Sequence, residues 1–78
     1  MGVRAYVLIQ TSVGRAGAVT EEVRAMEGVL VARDVTGPYD AVVEVEAPTM
    51  DDLGRLVVAR IQGVAGITRT VTCPVVNL

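Results

Sequence analysis

The chain has 78 residues, of which 51% are hydrophobic, with a mean hydropathy of +0.49, a net charge of −2 and a pI near 4.9. That length predicts one domain, residues 1–78, and the seven cations, all Arg and scattered singly, exclude the basic patch of a direct nucleic-acid binder. The longest purely apolar run is the five residues Ala5 to Ile9, far short of the ~20 that a membrane-spanning helix needs.

Residues 3 to 11, VRAYVLIQT, are predicted to form a strand, because the run is short, β-prone and apolar at positions of both parities. SVGRAG follows as a loop. Ala16, Val19, Val23 and Met26 then recur at helical spacing, with Glu21, Glu22 and Arg24 outside that face, and Gly28 stands where a left-handed residue would end the helix. Residues 29 to 36 form the second expected strand, with Val29, Val31, Arg33 and Val35 sharing one face. A tight connection leads to the third, 39 to 47, with Ala41, Val43 and Val45 on one side and Asp40, Glu44 and Glu46 on the other.

Thr49 is the expected N-cap of a second helix, with Asp51 and Asp52 in its first turn. Its buried stripe is Leu53, Val57 and Ile61, widened by Leu56 and Val64, and Gly63 and Gly66 close it. ITRTVTCPVV is the fourth strand, with Thr68, Thr70 and Thr72 on one face and Ile67, Arg69, Val71 and Cys73 on the other. Pro74 fits a strand end or an edge.

The order βαββαβ predicts an α+β, ferredoxin-like fold: a four-stranded antiparallel sheet with both helices on one face. The other face then lacks a cover, although the first strand is apolar on both sides. A second copy packed sheet against sheet, in a dimeric α/β barrel-like association, is the simplest cover.

Catalytic and metal-binding signals are weak. There is no His, so no His-based triad and no histidine metal site can form; no catalytic or metal residue and no cofactor is assigned. Cys73 reads as a core residue rather than a nucleophile, and a single Cys fits a reducing, cytoplasmic setting. No signal-peptide pattern opens the sequence. Glu44 and Glu46 read as a solvated strand face, and GRAG lacks the length and the Gly-Lys-Ser/Thr of a phosphate loop. The Gly-Pro-Tyr-Asp turn at 37 to 40 carries more. Pro38 fixes a corner, Gly37 gives freedom beside it, and the Asp40 carboxylate can cap nearby amides or meet a ligand.

The whole chain resembles the ligand-sensing (RAM) domain of the Lrp/AsnC, or feast/famine, transcription regulators. The residues that carry the likeness are Gly28-Val29, Val35-Thr36-Gly37-Pro38-Tyr39-Asp40 and Gly66-Ile67-Thr68-Arg69-Thr70-Val71-Thr72. The first strand begins close behind Met1, so the chain resembles a stand-alone sensing module without the family's helix-turn-helix. The resemblance implies homodimers through sheet faces, assembling into octamers or other rings, and an amino acid effector bound between dimers. It implies a site of Gly37, Tyr39 and Asp40, joined by Thr70 and Thr72, with Val29 and Val31 as contacts from a neighbouring subunit. It also implies co-assembly with full-length Lrp/AsnC regulators. The alternatives are a small dimeric α/β barrel enzyme and a purely structural oligomerisation domain.

Overall fold

The computed structural model describes residues 2–77. Strand β1, Val3–Thr11, is followed by helix α1, Ala16–Arg24, and by strands β2, Val29–Asp34, and β3, Ala41–Ala47. Helix α2, Met50–Arg55, runs directly into a π-helical segment, Leu56–Ile61, and strand β4, Ile67–Pro74, ends the fold. The four strands form one antiparallel sheet in the order β2-β3-β1-β4. This is the expected βαββαβ, ferredoxin-like topology.

The core lies between the sheet and the helices. Ala5, Val7 and Ile9 of β1 and Ala41, Val43 and Val45 of β3 are completely buried, as alternation along both strands requires. Val19 and Val23 of α1 cover them from one side, and Leu53, Leu56, Val57, Ile61 and Val64 from the other. The core is aliphatic, so its cohesion comes from many small side chains in close contact.

Helix α2 starts as its sequence dictates: Thr49 Oγ1 accepts from the Asp52 amide at 3.1 Å, and Asp51 and Asp52 sit in the first turn. Helix α1 ends earlier than expected, at Arg24 with Ala25 as C-cap. Gly28, with φ +94°, instead turns the chain into β2, where its carbonyl accepts from Glu46 N at 2.8 Å. An added Cβ there would stand 3.1 Å from both Glu46 O and Leu56 Cδ2, so the close approach demands glycine.

Two strands depart from simple alternation. The β2–β3 register shifts between Val29 and Val31, so one extra residue enters β2. Val29, opposite Val45, therefore packs against the core, whereas Val31, opposite Glu44, points to the uncovered face. These two residues do not share a face, contrary to the expectation from spacing. On β4 the register shifts opposite Gln10 and Thr11. Ile67 consequently joins Thr70 and Thr72 on the helix side, while Arg69, Val71 and Cys73 lie on the open side opposite Gln10, Leu8 and Tyr6. Cys73 is exposed, not a core residue.

The open face carries a band of partly exposed apolar groups, namely Tyr6, Leu8, Val31, Val42 and Val71. Arg4 bonds Glu46 across the strands at 3.0 Å and lies 3.5 Å from Glu44. The hydrogen bond to Glu46 and that residue's charge, with a smaller contribution from Glu44, hold the Arg4 guanidinium above its ordinary pKa against the opposing effect of desolvation.

Candidate functional site

The turn between β2 and β3 sits at one end of the sheet, beside the end of β1. Gly37 takes φ +115°, which side-chain-bearing residues rarely adopt, and apart from its two chain neighbours no described residue lies within 4 Å of where its Cβ would be. Pro38 follows, exposed at the corner. Backbone bonds fix the two ends of the turn: Val35 N donates to Asp40 O at 3.0 Å, and Asp40 N donates to Ile9 O at 2.8 Å.

The Asp40 side chain folds back onto β1. Its Oδ2 accepts from Thr11 N at 2.8 Å and from Thr11 Oγ1 at 3.1 Å. The capping role anticipated for Asp40 is thus present. Both bonds fall on one oxygen, and Oδ1 accepts no hydrogen bond from a described residue. Gln10 Nε2 reaches Pro38 O at 3.4 Å, a long contact. Tyr39 and Asp40 are half-buried.

Thr11 and Gln10 hold the turn, and nothing in the sequence singled them out. The only signal is positional: once Ile9 pairs with Ala41, the next residues of β1 must lie beside Tyr39 and Asp40.

Thr70 and Thr72 lie on the other side of β1. Thr70 pairs with Ile9, which in turn pairs with Ala41, so Thr70 and Ala41 stand about 10 Å apart across two strand spacings. Thr70 Oγ1 accepts from Gln62 Nε2 at 2.8 Å. Thr72 lines a shallow groove of about 240 Å³ with Met50, Leu53, Val57 and Val58. Within one protomer, then, Gly37, Tyr39 and Asp40 come together, and Thr70 and Thr72 form a second group on the β4 edge. Val29 and Val31 belong to the opposite edge strand, β2.

Among the described residues no three His, Cys, Asp or Glu side chains come together to hold a metal ion. No helix of the described residues is long and apolar enough to cross a membrane.

A ferredoxin-like sheet bare on one face thus carries the Gly-Pro-Tyr-Asp turn at its rim. The chain belongs to the family of the Lrp/AsnC ligand binding domain, whose model matches residues 4–77. It is similar to the crystal structure of FFRP-DM1, with 34% identity and a TM-score of 0.91 over 95% of this chain and 99% of that one. It is similar also to TTHA0845 from Thermus thermophilus, with 30% identity and a TM-score of 0.92 over 97% and 95%. The transcriptional regulator NMB0573 of Neisseria meningitidis, solved as a complex with L-Met, shares the fold at 17% identity and a TM-score of 0.85; the match takes in 96% of this chain and 50% of the regulator. No curated protein matches the chain.

Proposed function

We propose that the chain is an effector-binding and oligomerisation module that takes a small molecule, an amino acid, where dimers meet. The observation that carries this reading is the family match over residues 4–77 together with the rim turn at 37–40. A regulator of the same fold solved with L-Met supports the choice of an amino acid.

An amino acid offers an ammonium and a carboxylate. Asp40 Oδ1 is the acceptor for the ammonium, and its geometry is set beforehand by the two Thr11 bonds. The exposed amides around Gly37 and the hydroxyls of Thr70 and Thr72 are donors for the carboxylate. Because β1 separates these groups within a protomer, a site using both draws them from different subunits. Tyr39 shelters the effector side chain, and Val31 is a contact offered to a neighbour; Val29, packed against its own core, offers less.

Dimerisation through the open sheet face is part of the same reading, supported by the exposed Tyr6 and Val31 and the half-buried Leu8, Val42 and Val71. Dimers assemble further into an octamer or another ring. The module acts on transcription by co-assembling with full-length Lrp/AsnC regulators, whose assembly the effector shifts through its preference for one state.

Thermal unfolding of the protein with each amino acid at millimolar concentration tests this. An effector present at ten times its Kd adds about 1.4 kcal/mol and raises Tm by about 5–10 °C for a domain of this size. Asp40→Asn is expected to abolish that shift. A flat response to every amino acid would remove the sensing claim and leave the fold untouched.

A further inference from the structure

We propose that the groove between the α1–β2 turn and helix α2 is a second ligand site. Its ligand is a small extended zwitterion, with an ammonium and a carboxylate several bonds apart, as in a dipeptide or an ω-amino acid. The groove is separate from the rim turn: it lies where β3 ends, whereas the rim turn lies where β3 begins, about 20 Å away along the strand.

The groove has a volume of about 390 Å³. Glu27 and Gly28 form one wall, and the helix from Asp52 to Arg60 forms the other. Ala47 and Leu56 are buried beneath it, and the close packing of Gly28 on Leu56 seals the floor. Pro48 and Ala59 extend this apolar surface towards solvent. The π-helical segment shapes the second wall. Residues five apart stand about 140° apart around an α-helix. Backbone bonds that reach five residues, as from Gln62 N to Val57 O at 2.9 Å, bring such residues towards one side. Arg55 and Arg60 therefore border the same groove.

Five charged residues line it, and three are satisfied within the protomer. Asp52 Oδ1 accepts from Arg55 Nη1 at 2.7 Å, and its Oδ2 accepts from Thr49 Oγ1 at 3.0 Å. Glu46 is held by Arg4 at 3.0 Å. Glu27 and Arg60 remain. Both are exposed, and among the described residues neither forms an ion pair, with each other or with any other group. One negative and one positive group thus face the same small space from opposite walls. A lone anion meets Glu27 there and a lone cation meets Arg60, and like charges at close range disfavour both. A zwitterion gives each wall its counter-charge. An α-amino acid carries its two charges on one carbon, whereas a dipeptide or an ω-amino acid spreads them across the groove, with its chain on Leu56 and Ala59.

Calorimetric titration of the full chain with δ-aminovalerate and with glycylglycine tests this, beside the single-charge analogues pentylamine and pentanoate. At least one zwitterion is expected to bind with a millimolar Kd, and both analogues at least about fivefold more weakly. Glu27→Gln and Arg60→Gln each remove one unpaired, exposed charge and are expected to weaken the zwitterion by about fivefold without moving Tm. Asp40→Asn is expected to leave this binding unchanged, which keeps the groove distinct from the rim turn. Lack of binding by both zwitterions overturns the proposal, and so does equal binding by an analogue. A zwitterion signal that survives both groove variants, or that Asp40→Asn abolishes, places the ligand elsewhere and overturns it as well, leaving the rim-turn reading standing.

Discussion

Asp40 is tied to Thr11 twice, through the amide at 2.8 Å and the hydroxyl at 3.1 Å, both on Oδ2. The residue just before β3 is thus tied to the residue that ends β1. Substitutions at the two positions separate the structural role of this carboxylate from its proposed binding role. Thr11→Val deletes one of the two bonds and is expected to cost about 1 kcal/mol. Asp40→Ala deletes both, strands the Thr11 amide and is expected to cost about 1.5–3 kcal/mol. Asp40→Asn keeps an acceptor for Thr11 and is expected to stay close to wild type in urea unfolding while losing any response to an ammonium-bearing ligand.

Gly28 and Gly37 both hold positive φ, at +94° and +115°, but only Gly28 is crowded. Alanine at either position adds backbone strain of about 1–3 kcal/mol. Gly28→Ala is expected at the top of that range or above it, because its Cβ also pushes on Glu46 O and Leu56. Gly37→Ala is expected at the bottom. Chemical denaturation curves for the two variants give the difference directly.

Arg24 leaves its helix to guard a strand edge. Its Nη2 donates to Ala32 O at 2.8 Å on β2, which is an outer strand, while its Nη1 pairs with Glu21. Ala32 alternates with residues such as Val35 that bond to β3, so its carbonyl points away from the sheet. Arg24→Ala frees that carbonyl to template another chain and is expected to speed aggregation, followed by light scattering on mild heating. Its cost in stability is expected to be about 0.5–1.5 kcal/mol. Arg24→Lys, which keeps a donor and a charge, is expected to aggregate more slowly than the alanine variant.

Much of this architecture is legible residue by residue. The 3.6-residue spacing of Leu53, Val57 and Ile61 and the period-2 pattern of Ala41, Val43 and Val45 each point to one solution, and all six are buried in the core. Thr49 as an N-cap is equally local, since its hydroxyl needs only the amide three residues on. The turn Gly37-Pro38 is visible for the same reason: the constraint lies within the residues themselves.

What sequence could not supply were relations between strands. Parity along β2 and β4 breaks because register shifts at Val29/Val31 and opposite Gln10/Thr11 insert one extra residue, and a bulge has no marker in a string of β-prone residues. The helix-side position of Ile67, the open-side exposure of Cys73 and the division of Val29 from Val31 all follow from those two shifts. Thr11 as the holder of Asp40 is another such relation, between residues 29 apart in the chain. By itself, then, the sequence determined the elements, their order, the core stripes and the family, because these depend on local periodicity and short motifs. Only the tertiary structure decided which side each edge residue faces, and that Asp40 and Thr70 stand on opposite sides of β1. Pairing register is a property of two chain segments at once, fixed when the buried face closes rather than within either segment.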